Sequence, residues 1–431
     1  MALAELSPRA LLLALFRNAV RVAHPAACVP PHLPVLTRGE PLLVLGAGKA
    51  DAAMAQAVEA HYDALGQLGQ LGGFVTTRYG FALSTRRIEI VEASHPVPDA
   101  MSAEAALRAL ALARGAVPGS RILVLMSGGA SALWSAPVEG VSAGDKQALT
   151  KLLLRSGAPI GDMNTVRRHL SRIKGGRLAA AAGAARVLTL AISDVPRDEP
   201  QAIGSGPTVA DPSTLADARA VLGRYGLSPP ESIARALTDP ANETLKPGAA
   251  ALKQARFEIV ARPQASLEAA AAMARQTGYV PVLLGDSLEG EARDVGIAHA
   301  ALAMAARQRG ERVAILSGGE CTVTVRGTGA GGPNQEYALG LALALNGATG
   351  IVALAADTDG IDGGSGAATD PAGAIVVPDT LSRARLRHMS APDMLANNDS
   401  TAFFRALGDL VECGPTQTNV NDFRVILVDP T

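Results

Sequence analysis

The strongest constraint on how this chain folds is a repeated unit. A short, uninterrupted apolar run ends at Gly, Ser or Asp and leads into an Ala-rich segment with helical spacing. Such runs stand at residues 41–45, 121–126, 187–192, 280–284, 312–316, 351–355 and 424–428. Strands that are apolar on both faces and followed by helices are the signature of βαβ units and of sheets covered on both sides. An α/β fold with mostly parallel sheets is therefore predicted. The 45 Gly and 27 Pro supply the many tight connections that such a fold needs. In open α/β sheets ligands bind beyond the carboxyl ends of the strands, so chemistry is expected just after each run.

A length of 431 residues points to about two or three domains. The polar, proline-containing stretch at 237–256 is the predicted boundary, giving domains 1–240 and 241–431. RILVLMSGGAS at 121–131 and RVAILSGGECT at 312–322 echo each other, which supports two similar halves. Lys plus Arg is 39 and Asp plus Glu is 40, so no global field favours nucleic acid or acidic lipid. Aromatics at 3% leave little material for base stacking. Cys28, Cys321 and Cys413 are far apart, which argues against a disulfide framework or a zinc site and fits a reducing cytoplasm. Ser7-Pro8 reads as the N-cap and first residue of a helix rather than part of a signal peptide. The uncharged stretch 337–356 is interrupted by Asn346-Gly347 and Gly350, so a buried helix, a turn and a strand are expected there rather than a membrane span.

Several strand ends carry candidate residues. Gly46, Gly48 and Lys49 lie between a strand and a helix, where backbone N–H groups can approach an anion and Lys49 can neutralise a phosphoryl group. The segment is neither of two standard motifs. A phosphate-binding loop would place Ser or Thr after the lysine, where Ala50 stands, and a dinucleotide fingerprint would place Gly or Ala where Asp51 stands. A plain tight turn is the alternative. Ser127-Gly128-Gly129 and Ser317-Gly318-Gly319 repeat the arrangement, and three such turns favour anion binding. Arg167, Arg168, Arg172, Lys174 and Arg177 crowd one segment, as either a solvated face or a clamp for carboxylate or phosphate. Asp194 follows an apolar strand, where it can take a hydroxyl proton, hold Mg²⁺ or cap a turn. Arg326 opens a loop with four glycines that runs to Asn334 and Glu336, read as a flexible or anion-cradling segment. Asp357, Asp359 and Asp362 lack the terminal Glu of an EF-hand but suit Mg²⁺ with nucleotide phosphates, or else an Asx-rich turn. No Ser-His-Asp order can be assigned, and His95 reads as a loop or core histidine.

The segments VLGAGKADAAMA, SHPVPD, LMSGGASAL, GDMNTVRRHLSRIKGGRLA, LAISDVPRDEPQAIGSGPTVADP, ILSGGECTVTVRGTGAGGPNQEYAL, ALAADTDGIDGGSGAATD and GPTQTNVNDFRVIL span nearly the whole chain in order. With them the chain resembles the glycerate 2-kinase family (class II glycerate kinases), whose second half is a MOFRL domain. The resemblance implies a Rossmann-like N-terminal domain, a cleft between two α/β domains as active site, and transfer of a phosphoryl group from ATP, with Mg²⁺, to the C2 hydroxyl of D-glycerate. It also implies that Lys49 and Arg326 are the family's essential lysine and arginine. The remaining roles are assigned from chemistry: Asp194 to the glycerate hydroxyl, Asp359 to Mg²⁺, Ser127, Gly128 and Gly129 to an anion, Gly46, Gly48, Arg172 and Lys174 to nucleotide or substrate, and Asn334 and Glu336 to ribose, metal or substrate. The competing readings are an NAD-dependent hydroxypyruvate reductase, a label also used in this family, and a non-catalytic sensor of sugar acids. Oligomeric state and preference among hydroxy acids stay open.

Overall fold

The computed structural model describes residues 6–430 and contains two six-stranded sheets covered by helices. The first sheet is built from β1 (Leu42–Ala47), β2 (Leu71–Arg78), β3 (Glu89–Ala93), β4 (Arg121–Met126), β5 (Arg186–Ile192) and β6 (Ala255–Ala261), in the order β3-β2-β1-β4-β5-β6. The pairings among β1 to β5 are all parallel, with Leu42 opposite both Leu71 and Arg121. This is the strand order of the dinucleotide-binding doubly wound fold, and the direction of winding reverses between β1 and β4. Val44, Leu45, Leu123, Val124 and Leu125 are fully buried, as continuous apolar strands between two helical layers require.

The second sheet comprises β7 (Val280–Leu283), β8 (Val313–Gly319), β9 (Ile351–Asp357), β10 (Gly373–Val376), β11 (Leu410–Val411) and β12 (Asp422–Val428), in the order β11-β10-β9-β12-β8-β7. Parallel pairing, expected to dominate both sheets, is confined here to β7 and β8. The last strand, β12, inserts between β8 and β9 and runs antiparallel to each. The carboxyl ends of β8 and β9 therefore share one edge, and Asp422 at the start of β12 stands opposite both Gly319 and Asp357.

The chain divides into two compact units, Cys28–Val260 and the remainder. This differs from a division at residue 240 in two ways. The stretch around the expected boundary is folded onto the first unit: the Leu245 N–H donates to the Gly175 carbonyl at 3.0 Å, Glu243 pairs with His169 at 2.9 Å, and β6 then completes the first sheet. The helix Pro8–Ala23 joins the second unit instead of the first. Its apolar stripe, Leu11, Leu12, Leu15, Phe16 and Ala19, packs with Leu267, Ala270 and Phe423, and the Ser266 hydroxyl donates to the Ala19 carbonyl at 2.9 Å. Ser7 caps that helix as expected, accepting from the Ala10 N–H. Among the described residues no helix is long and apolar enough to cross a membrane. The stretch 337–356 resolves into helix Pro333–Leu345, Asn346 in the left-handed region at φ 44°, and β9.

Candidate active site

In the unit Cys28–Val260 the expected residues collect where the winding reverses. The loop after β1 and the loop after β4 are stitched together: Lys49 N–H donates to the Gly128 carbonyl at 2.8 Å and Ala50 N–H to Ser127 Oγ at 3.0 Å. The Gly48 N–H donates to Thr76 O at 3.0 Å and the Asp51 N–H to Gly48 O at 3.2 Å. These amides are consumed inside the protein, so this loop is not the backbone anion cradle that its glycines suggested. The glycines serve close packing instead. A Cβ on Gly48 would overlap Ser127 Oγ, and one on Gly46 would stand 2.6 Å from Asp51 Oδ2.

Asp51 explains the arrangement. It opens helix Asp51–Ala64 and is completely buried, with its Oδ1 accepting from Ser127 Oγ at 2.5 Å. Burial pushes its carboxyl up to about 7, against the pull of the Ser127 hydrogen bond. In a dinucleotide-binding domain the helix N-terminus here would face a pyrophosphate. This chain fills that position with its own acidic side chain. Lys49 is half-buried beside it. A Cβ placed on Gly129, which has φ +85°, would lie 3.4 Å from Lys49 Cγ and 2.9 Å from His95 Cδ2. His95, read from sequence as a loop or core residue, thus lies against the same turn as Lys49.

The basic segment sorts into two classes. Arg168 is held by Asp211 at 3.0 Å, His169 by Glu243, and Arg177 by the carbonyls of Arg168, Ser171 and Asn242. These side chains are structural. Lys174, only 1% exposed, instead reaches Ser131 after β4, donating to its carbonyl at 2.7 Å and its hydroxyl at 2.5 Å. Arg167 approaches the same hydroxyl at 3.4 Å, and Ser205 Oγ lies 3.0 Å from it. Ser205 has φ 62° between Gly204 and Gly206, both also at positive φ, a strained conformation of the kind that collects at functional sites. Arg172 is exposed, with its backbone N–H on Ala136 O. Asp194 follows β5 directly and is half-buried.

In the other unit the glycine-rich loop has a different role from the one expected. Its amides are capped from residues 397–399: Arg326 and Gly327 N–H donate to Asn398 Oδ1 at 2.7 and 2.9 Å, and Thr328 N–H donates to Asn397 Oδ1 at 3.1 Å. Cβ atoms on Gly327, Gly329, Gly331 or Gly332 would overlap residues 397–400 or Asp362. The loop is pressed flat on its neighbours and is neither a flexible linker nor an open amide cradle. What it presents is the exposed Arg326 side chain.

Asn334 and Glu336, expected at the ligand, are 0% and 1% exposed. Glu336 pairs with Arg293 at 2.8 Å and accepts from Asn398 Nδ2 at 2.7 Å. Asn334 Nδ2 donates to Asp422 Oδ1 at 2.6 Å and to Asp362 Oδ1 at 3.2 Å. Both act as internal braces, Glu336 for the loop behind Arg326. Asp362 caps the start of helix Pro333–Leu345 through the N–H groups of Asn334 and Gln335, and burial raises its carboxyl to about 7. Asp359 sits in an Asx-type turn, its Oδ1 accepting from Ile361 N–H at 2.9 Å and its N–H donating to Asp357 Oδ1 at 2.8 Å. No group of three His, Cys, Asp or Glu among the described residues is arranged to hold a metal ion by itself. Two surface cavities of about 450 and 560 Å³ lie elsewhere, one beside helix Pro8–Ala23 and one at the amino ends of β1, β4 and β5.

The residues given no site role from sequence are Asp51, Ser131 and Lys146. Lys146 alone carried a local signal, since it shares the inward stripe of helix Ala143–Arg155 with Leu149 and Leu153.

Comparison with known proteins gives a consistent picture. The chain matches a family described as a domain of unknown function (DUF4147) over residues 11–238 and the MOFRL family over residues 313–422. An Agrobacterium vitis protein with the provisional name hydroxypyruvate reductase is 50% identical over 98% of this chain and 95% of its own length. The D-glycerate 2-kinase of Thermotoga maritima is 36% identical over 98% of this chain and 99% of its own. The crystal structure of glycerate kinase from Thermotoga maritima matches with a TM-score of 0.86 at 36% identity, covering 97% of this chain and 99% of that one.

Proposed function

This chain belongs to the glycerate 2-kinase family, and from that premise we propose how its residues divide the work of an ATP-dependent glycerate kinase. The reaction moves the γ-phosphoryl group of ATP to the C2 hydroxyl of D-glycerate and yields 2-phosphoglycerate and ADP. The observation that carries the kinase reading over the reductase is Asp51. Asp51 stands where a dinucleotide fingerprint needs Gly or Ala, and the Lys49, Ala50 and Asp51 amides that would face a pyrophosphate there are hydrogen-bonded to Gly128, Ser127 and Gly48 instead.

Phosphoryl transfer is mainly positioning and stabilisation of charge on the transferred group. In this reading Lys49 and Arg326 supply that positive charge. Asp194, at the carboxyl end of β5, orients the glycerate hydroxyl and accepts its proton. Ser127, Gly128 and Gly129 fix the turn from which Lys49 projects, with Asp51 locking Ser127 from below. Mg²⁺ ordinarily takes one or two carboxylates together with substrate phosphates. The oxygen donors of the Asp359 turn suit that demand, and we assign Mg²⁺ to Asp359. An ion held there would supply positive charge to the phosphate oxygens. Three cysteines with no disulfide among the described residues suit a reducing cytoplasm.

The test is one assay with the purified protein, D-glycerate, ATP and Mg²⁺, with product identification. Formation of 2-phosphoglycerate is expected. NADH-dependent reduction of hydroxypyruvate without kinase activity would overturn the reading.

A further inference from the structure

Helix Ala143–Arg155 turns Lys146, Leu149 and Leu153 inward, so a lysine occupies a position where an apolar residue would normally complete the core. Its ammonium is buried and has no hydrogen-bond partner among the described residues. Burial, reinforced by the nearby Arg167 charge, drives Lys146 down to about 7. Lys174 is held well below its ordinary value by burial and by the charges of Lys146, Arg167 and Arg168. Arg168 is neutralised by Asp211, whereas no carboxylate is hydrogen-bonded to Lys146, Arg167 or Lys174 among the described residues. A buried charge without an opposite partner is costly, and a fold that needed only packing here would use Met or Leu.

We propose that Arg167 and Lys174, both hydrogen-bonded to Ser131, and the neighbouring Lys146 form the site for the carboxylate of the hydroxy-acid substrate, with Lys146 as its specificity-determining residue. This rests on the kinase reading and deepens it. The donor count favours a carboxylate. Lys174 already gives two hydrogen bonds to Ser131 and retains one donor, while the Lys146 ammonium has three. The two lysines thus offer four N–H groups for the roughly four lone-pair sites of one carboxylate, and Arg167 adds positive charge and the donors it does not spend on Asn164 and Ser131. The strained Ser205, hydrogen-bonded to Ser131, holds that serine in place. The carboxylate is the one charge that separates glycerate from glycerol, so this cluster is where the acceptor is recognised as an acid.

The experiment is steady-state kinetics and calorimetry on the full chain, comparing wild type with Lys146→Met. The KM for D-glycerate is expected to rise about 10- to 100-fold, the loss of a charge-assisted contact, with the KM for ATP and kcat within about threefold. The neutral analogue glyceramide should be discriminated from D-glycerate by wild type and much less by the variant. Because the substitution removes a buried charge, the variant should melt no lower than wild type, which separates a binding defect from misfolding. An unchanged KM for D-glycerate, or a loss confined to ATP, would overturn the proposal. The kinase reading is tested separately: wild type giving no phosphorylated product would sink that reading. Titration of D-glycerate with and without inorganic phosphate as competitor would still report on the site. Glycerate binding lost in Lys146→Met supports it, and binding equal in both proteins rejects it.

Discussion

Ser127 and Asp51 form a buried pair 2.5 Å apart that joins the loop after β4 to the helix after β1. The same hydroxyl accepts the Ala50 N–H, so one serine holds both sides of the turn from which Lys49 projects. The carboxylate is raised to about 7 in the folded protein from an ordinary 3.8. A carboxyl raised in this way favours folding below the unfolded value and loses that contribution as pH climbs through the folded one. Asp51→Asn should therefore flatten the fall in stability between about pH 4 and 7. Thermal melts across that range check it, and a slope identical to wild type would show that Asp51 does not titrate as described.

Lys146 works in the opposite direction. Its value falls to about 7 from 10.5, so it contributes stability that is fully present above the unfolded value and lost as pH drops through the folded one. Stability should rise from about pH 7 to 10 in wild type and rise less in Lys146→Met. Binding an anion favours the charged ammonium, so the KM for D-glycerate should increase as pH passes above about 7 in wild type and not in the variant. Burial sets most of this effect, and the Arg167 charge adds to it.

Asp194→Asn should lower kcat by about 10²–10⁴-fold with little change in nucleotide affinity. Turnover equal to wild type would leave Asp194 as a turn residue after β5.

Lys49→Ala and Arg326→Ala should each nearly abolish turnover while the protein stays folded. If both stabilise charge on the same transferred group, the double variant loses far less than the product of the two single losses. Fully multiplicative losses would mean that the two cations act in separate steps.

Asn398→Ala removes the acceptor for the Arg326 and Gly327 amides and a donor to Glu336. Leaving such groups unsatisfied should cost about 1–3 kcal/mol of stability. It should also lower kcat, because Arg326 loses its anchor. Denaturant titration with kinetics on the same samples separates the two effects.

Seven of the twelve described strands, β1, β4, β5, β7, β8, β9 and β12, were legible as uninterrupted apolar runs, whereas β3 and β6 carry Glu and Arg among their residues and were not. Strand direction in the second sheet was not legible either. The reversal of β12 between β8 and β9 depends on how a late segment returns, and nothing local to 422–428 encodes it. Lys49 and Arg326 stood out from their places at a strand end and a loop entrance, and the family resemblance added that they are essential. The glycines beside them were misread for a physical reason. A glycine that lets an amide face an anion and a glycine that lets two backbones touch look alike until the partner is known. For Arg326–Gly332 the partner lies about seventy residues downstream, at Asn397 and Asn398. Lys146 was overlooked because a lysine in a polar stretch reads as surface, and only its spacing with Leu149 and Leu153 says otherwise.

The second unit is assembled from the two extremes of the chain: helix Pro8–Ala23 packs on a sheet whose inner strand is β12. On the ribosome, Cys28–Val260 emerges as one continuous stretch and can close its own sheet early. The first helix meets its first partners only at Leu267 and Ala270, and its apolar stripe is fully covered only once residues 422–428 have left the exit tunnel. At about 5–20 residues per second that interval is roughly 20–80 s. Nascent chains stalled shortly before β12 should therefore hold a protease-resistant first unit and a first helix still incompletely covered, which chaperones can bind, and release of the last strand should complete its burial.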